Sequence, residues 1–416
     1  MQTQFTERAL QEPRIREADR ILRNCVHCGF CNATCPTYQL LGDERDGPRG
    51  RIYLMKALLE QPHAGDKITA ETRLHLDRCL TCRNCETTCP SGVEFHRLLD
   101  IGRAEIESRV PRGFRERAFR YLLRRALGSP RAAAALFRMA RGIRPLLPAR
   151  LREKVPPAAL PAGQRPLPGR HERRMLLLEG CVQPGLSPNT NAAAARVLDR
   201  MGIDLRPAAS AGCCGAMDYH MNAARDGLDR ARANIDAWWP EIEPGAEAIV
   251  QTASGCGAFV KDYGRLLADD PAYAEKAAAV SRLARDLVEV LQEEPLEQLG
   301  LRTARSLAFH CPCTLQHAQR LGGAVESVLS RLGFRLTSVV DAHICCGSGG
   351  TNSITQPEIA RRLRDRKMRA LEAGSPELIV TANIGCQAHL ASADRTPVRH
   401  WIEAVDEALE RAPLPG

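Results

Sequence analysis

CVHCGFCNATCP at residues 25–36 and CLTCRNCETTCP at residues 79–90 carry the same spacing twice, C-x2-C-x2-C-x3-C-P. This is the cysteine run of bacterial two-cluster ferredoxins. Three closely spaced thiolates curl around three corners of a [4Fe–4S] cube. The fourth corner takes a ligand from farther away, and the proline turns the chain out of the site. In such pairs the fourth cysteine of each run serves the other cluster. The spacing therefore assigns Cys25, Cys28, Cys31 and Cys89 to one cube, and Cys79, Cys82, Cys85 and Cys35 to the other. Structural zinc is normally held by two separated C-x2-C knuckles and has no use for this duplicated run. A disulfide framework fits it even less well.

Working outward, the patterning around the motifs is helical. Ile52, Met55, Leu58 and Leu59 recur at helical spacing after Gly47-Pro48, and Phe95 to Arg109 reads as a further helix. The long insert between Cys35 and Cys79 exceeds a minimal ferredoxin loop, so residues 1–110 are expected to form an α-helical ferredoxin domain. Residues 111–170 read as a basic helix and a linker. On the helix, Gly113 to Leu127, Phe114, Ala118, Leu122 and Ala126 lie along one side and Arg117, Arg120 and Arg124 along another. Seven prolines between Pro145 and Pro168 leave no room for a packed element.

The chain has 416 residues, 17 cysteines and a net charge of +9. Met1 to Leu22 mixes Glu and Arg and lacks the apolar stretch of a secretory signal. A cytoplasmic chain with reduced or metal-bound thiols is expected. No segment approaches the ~20 apolar residues of a spanning helix, so any membrane contact is expected to be peripheral. Between Arg103 and Arg174 stand 18 Arg and one Lys against five Glu, and the rest of the chain is acidic. With aromatics at 4% and no nucleic-acid motif, this patch suits an acidic partner or anionic lipid and not nucleic acid.

Beyond residue 170 the sequence repeats. Cys181, Cys213 and Cys214 recur 132 positions later as Cys313, Cys345 and Cys346, and Cys256 recurs 130 positions later as Cys386. In each copy an apolar strand (Met175 to Leu178; Leu307 to Phe309) precedes a helix and a Cys-Cys-Gly turn. A second strand (Ala248 to Gln251; Leu378 to Thr381) then ends at a Gly-Cys. Strands alternating with helices imply parallel βαβ units. The fold class is thus an α-helical ferredoxin domain followed by two α/β modules, residues 171–300 and 301–416. Strand ends are where such sheets build sites. Cys181, Cys213, Cys214, Cys256, Cys311, Cys313, Cys345, Cys346 and Cys386 are candidate ligands for a third iron–sulfur cluster or zinc, with the second repeat favoured because Cys311 gives it a fifth thiol, or else a duplicated apolar core. His220, His310, His317, His343 and His389 lie nearby and are not assigned a catalytic role. No dinucleotide fingerprint, Walker motif or nucleophile elbow occurs, so no flavin or nicotinamide site is expected here.

The pattern Cys…Cys-Cys-Gly…Gly-Cys, twice behind a two-cube domain, resembles the cysteine-rich repeat of heterodisulfide reductase subunits. In those the repeat ends in C-x-x-C, whereas Ala253 and Asn383 occupy the earlier position here. Residues 211–220, 251–261, 310–317 and 381–390 are most similar to the iron–sulfur subunits of bacterial glycolate oxidase (glycolate dehydrogenase). The resemblance implies an electron-transfer subunit, not catalytic alone. Two flavoprotein-type partners would carry FAD and oxidise glycolate to glyoxylate, with electrons passing toward a quinone at the inner face of the cytoplasmic membrane. A subunit of a lactate or anaerobic glycerol-3-phosphate dehydrogenase, or a stand-alone iron–sulfur redox sensor, are the other readings.

Overall fold

A computed structural model describes residues 1–60, 69–148, 160–301 and 303–411. It contains two compact units: Met1–Arg120 with His343–Lys367, and Tyr121–Ala342 with Met368–Gly416.

The first unit is built of helices: α1 (Pro13–Asn24), α2 (Phe30–Ala33), α3 (Pro36–Leu41), α4 (Pro48–Glu60), α5 (Ala70–Asp77), α6 (Asn84–Thr88) and α7 (Phe95–Arg109). The periodic residues of α4, Ile52, Met55, Leu58 and Leu59, pack with Leu98, Leu99 and Ile106 of α7 and Ile21 and Leu22 of α1. The α4–α7 approach is close. A Cβ at Gly102 would meet Met55 at 2.7 Å, which explains a glycine in mid-helix. Prolines open α1, α3 and α4, where their fixed φ suits a helix start.

The unit also takes in His343–Lys367, which the sequence division assigns to the second repeat. Asn84 donates to the His343 carbonyl at 3.0 Å, and Asn352 donates to that of Cys79 at 3.3 Å. Arg366 donates to Gln39 Oε1 at 2.6 Å. Buried carbonyls outside regular ladders need such donors, and here two amide side chains supply them.

The second unit holds two four-stranded parallel sheets of identical order, β2-β1-β3-β4 and β6-β5-β7-β8. The strands are β1 (Arg173–Leu178), β2 (Ile203–Pro207), β3 (Ala248–Gln251), β4 (Ala284–Asp286), β5 (Ser306–His310), β6 (Arg335–Leu336), β7 (Leu378–Thr381) and β8 (Val398–His400). Side chains alternate across each strand. Met175 and Leu177 enter a core shared with Leu307, Phe309, Leu378 and Val380, whereas Leu176 and Leu178 face a second core around Trp238 and Tyr263. One apolar layer thus joins the two sheets. The repeats also touch at the ends of β3 and β7, where the Ser254 N–H donates to the Ala382 carbonyl at 3.0 Å.

Helix α8 (Phe114–Leu127) matches the expected basic helix. It is followed by α9 (Pro130–Ile143), capped by Ser129, a second helix within residues 111–170, which the sequence division gives to one basic helix and a linker. Residues 149–159 of the proline-rich stretch lie outside the described residues. No described helix is long and apolar enough to cross a membrane.

Candidate metal centres

Each cysteine run follows the same backbone path. His27 and Gly29 in the first, and Thr81 and Arg83 in the second, have φ of 58°, 84°, 54° and 59°. These are the second and fourth residues after Cys25 and Cys79. Left-handed backbone is unfavourable for non-glycine residues, most of all for a β-branched threonine. Its recurrence at equivalent positions curls each loop so that three thiols face one space. Thr34 and Thr88, immediately before the two fourth cysteines, meet at 3.1 Å between their hydroxyls.

That contact brings each fourth cysteine to the opposite run. Cys25, Cys28, Cys31 and Cys89 line one cavity of about 430 Å³, its open mouth included. Cys35, Cys79 and Cys82 line a second of about 380 Å³, its mouth likewise included, and Cys85 borders both. The thiols sense one another in the same sets. Burial, then proximity to Cys25, Cys89 and Cys28, pushes the Cys31 thiol up to about 11. The Cys85 thiol is raised by burial and then by Cys82, Glu86, Cys79 and Cys35. Clustered thiolates of this kind repel until a cation neutralises them, so the donor sets fit cationic iron cores.

The surroundings of the two cavities differ. Around the first, Cys28 is exposed and Val26 and Phe30 are 67% and 61% accessible. The Arg49–Glu44 ion pair beside it is solvated. Around the second, Arg51 and Asp46 are fully buried. Asp46 accepts from Arg78 at 2.8 Å, pairs with Arg51 at 3.4 Å and contacts His75 Nδ1 at 2.9 Å. Thr37 Oγ1 lies 3.3 Å from Cys35 Sγ, and Arg51 Nη1 lies 4.0 Å from the same sulfur. Buried Arg103 donates to the Leu76 and Cys79 carbonyls and to Thr81. The Cys82 thiol is raised by burial and then by Cys345 of the His343–Lys367 segment.

In the first repeat the candidate cysteines converge. Cys181 follows β1 and Cys256 follows β3, the adjacent strands at which the order of connection reverses, the usual site position in open α/β sheets. Cys213 and Cys214 reach the same place on the Cys-Cys-Gly turn. Cys181 hydrogen-bonds Cys213, and Cys214 hydrogen-bonds both Cys213 and Cys256. These thiol donors hold Cys213 well below the usual thiol range, while the same bonds and burial raise Cys181 and Cys214. Asn234 and Tyr263 fix the turn by donating to the Cys213 and Cys214 carbonyls at 3.0 and 2.6 Å. Gly215 and Gly347 take φ of 94° and 93°, and a Cβ would strike Gly227 O at 2.3 Å and Ala360 O at 2.7 Å. Only glycine fits either turn.

In the second repeat, Cys311, Cys313 and Cys386 belong to the second unit, and Cys345 and Cys346 to the first. Asn383, standing where the related repeats carry cysteine, donates to Cys386 Sγ at 3.4 Å and accepts from the Gly255 N–H at 3.2 Å. It ties a candidate ligand to the other repeat.

Residues 21–93 match the 4Fe-4S dicluster domain family, and residues 175–261 and 307–391 each match the cysteine-rich domain family. The chain is 64% identical to the glycolate oxidase iron-sulfur subunit of Escherichia coli (strain K12), over 99% of this chain and 100% of the relative. The chain belongs to the glycolate oxidase iron–sulfur subunits. A probable glycolate oxidase iron-sulfur subunit of Bacillus subtilis (strain 168) is 32% identical over 88% of this chain and 87% of its own. The lactate utilization protein A of Bacillus licheniformis is 26% identical over 50% of this chain and 85% of its own.

In this iron–sulfur subunit, part of the basic region is committed internally. Arg124 donates to Asp218 at 3.0 Å and Asp226 at 2.9 Å, and Arg112 pairs with Asp77, Glu107 and Glu116. Phe114 and Leu122 of α8 and Met139 and Leu146 after it stay exposed. His220 packs on Tyr219 and Phe259, and His310 contacts Thr381 Oγ1 at 3.0 Å. Arg51, Arg103, Thr37 and Asn383 carry no motif. Sequence reading passed over Arg51 and Arg103 as site residues because each acts on a cysteine distant in the chain, Cys35 and Cys79. It passed over Thr37 and Asn383, which stand close to Cys35 and Cys386, because neither residue type belongs to the cysteine pattern.

Proposed function

We propose that this subunit carries single electrons within a glycolate-oxidising complex. Cys25, Cys28, Cys31 and Cys89 would hold one [4Fe–4S] cube and Cys79, Cys82, Cys85 and Cys35 the other. The observation behind the assignment is that Cys89 lines the cavity of the first run and Cys35 that of the second, while Cys85 borders both. A cube, when bound, supplies one-electron transfer, while oxidation of a 2-hydroxy acid removes two electrons. The conversion is a flavin's task, so two flavoprotein-type partner subunits carrying FAD would oxidise glycolate to glyoxylate, with a quinone as the eventual acceptor. This chain's residues keep the cubes at fixed positions, exclude water from the second, and leave the first open to exchange electrons at the surface.

Cys181, Cys213, Cys214 and Cys256 would hold zinc or a third iron–sulfur cluster. A readily ionised Cys213 within hydrogen-bond reach of its neighbours supports a metal there over a merely packed core. Residues 1–110, 111–170, 171–300 and 301–416 would act as cube domain, arm and two repeats. The exposed arginines and apolar residues of the arm would dock a partner or the inner face of the cytoplasmic membrane, peripherally.

Anaerobic co-purification with candidate flavoprotein partners tests the reading. The complex is expected to reduce a dye with glycolate, and the flavin-free chain alone is expected not to. Glycolate turnover by the isolated chain would overturn the subunit assignment. A variant lacking all eight cube cysteines is expected to retain zinc, or iron and sulfide, in the first repeat. Free thiols there in the full-length protein would leave the repeat a packed core.

A further inference from the structure

The second cavity is surrounded by more buried positive charge than the protein itself neutralises. Arg51, with no accessible surface, donates from Nε to the His75 carbonyl at 2.7 Å and from both terminal nitrogens to Thr37 Oγ1 at 3.2 Å. Its carboxylate partner, Asp46, is shared with Arg78 and His75. Two guanidinium groups therefore meet one carboxylate. Arg103, 7% accessible, is satisfied by neutral acceptors: the carbonyls of Leu76 at 2.9 Å and Cys79 at 2.8 Å, and the Thr81 hydroxyl at 3.2 Å. Among the described residues no carboxylate forms an ion pair with it. A buried cation without a counter-ion is strongly unfavourable. Arg51 lines the cavity that holds the thiols of Cys35, Cys79, Cys82 and Cys85, and Arg103 is bonded to the Cys79 carbonyl and the Thr81 hydroxyl at its wall. The cube of those thiols would be an anion that gains another negative charge on reduction.

We propose that Arg51 and Arg103 are the built-in counter-charges of the second cube and set its reduction potential. The proposal rests on the reading that Cys35 completes that cube. Burial alone penalises the more negative, reduced state and lowers the potential, whereas nearby positive charge and hydrogen bonds toward sulfur raise it. Arg51 supplies charge, and a guanidinium N–H, 4.0 Å from Cys35 Sγ. The Thr37 hydroxyl it also bonds lies 3.3 Å from that sulfur but gives its own proton to the Asp46 carbonyl at 2.7 Å. Arg103 supplies charge through the backbone of Cys79. The first cavity needs no such device, because Cys28 is exposed and water can screen the added electron.

The test is an anaerobic dithionite titration followed by electron paramagnetic resonance, on the full chain and on Cys28→Ser, which isolates the second cube. Arg51→Gln and Arg103→Gln are each expected to weaken reduction of the second cube at least tenfold, a fall of about 59 mV for one electron. The first cube should stay unchanged, and Arg51→Lys should restore most of the potential. Unmoved potentials in both glutamine variants, with iron content retained, would overturn the proposal. If those variants lose iron, Arg51→Lys decides: a potential held within tenfold supports a charge effect, and a larger fall refutes it. A shift in the cluster that Cys28→Ser removes would instead overturn the assignment of Cys35, and with it the proposal as stated.

Discussion

The two cube cavities begin from one sequence pattern and end in different environments. Both loops use the same left-handed residues, and both end in a cysteine delivered to the other run. Around the first, the charged pair is Arg49 and Glu44, side chains 37% and 42% accessible. Around the second, the corresponding pair is Arg51 and Asp46, at 1% and 0%. A duplicated motif therefore fixes ligand chemistry but not dielectric surroundings. One site is poised for contact and the other for insulation.

The largest effect that could break this comparison is ligand loss. Cys28→Ser should remove the first cube and Cys35→Ser the second, each about four of eight irons by the two-cluster reading. Iron and sulfide analysis with resonance spectra would show it. If both variants lost the same cluster, the exchange of fourth ligands would be wrong.

A smaller effect concerns stability. Asp46→Asn strips the shared carboxylate from Arg51 and Arg78, and an uncompensated buried charge costs about 3–5 kcal/mol. Glu44→Gln breaks a solvated pair worth about 0–1 kcal/mol. Anaerobic thermal melting should show a large loss for the first and almost none for the second. Equal shifts would erase the claimed difference in burial.

The mildest contrast is kinetic. Brief exposure to air should bleach the first cube before the second, because Cys28 and the rim residues Val26 and Phe30 are accessible. Following each signal over time would reveal the order, and faster loss of the second would count against its enclosure.

How much was legible beforehand depended on whether the signal was local. The apolar runs of β1, β3, β5 and β7 announce strands because these are the inner strands of each sheet, covered on both faces. Strands β2, β4, β6 and β8 went unread. They lie at the sheet edges, are as short as Arg335–Leu336, and mix in residues such as Asp204 and Arg285. Helix α9 was missed because its alanine-rich run stands next to the prolines that signal a linker. The convergence of Cys181, Cys213, Cys214 and Cys256 followed from strand-end logic, but the thiol–thiol bonds that hold Cys213 below the usual thiol range did not.

The sequence by itself determined the iron–sulfur thiol pattern and the duplication of the α/β repeat, since covalent spacing and short-range periodicity encode both. Tertiary structure alone decided that Arg51 of α4 lines the second cavity and that Arg103 of α7 binds the Cys79 carbonyl beside it. It also decided that Asn84 and Asn352 join His343–Lys367 to the cube region, and that Asn383 accepts from the Gly255 N–H of the other repeat. Those outcomes depend on which polar groups are buried together. Burial is a property of packing between distant segments, and no local pattern records it.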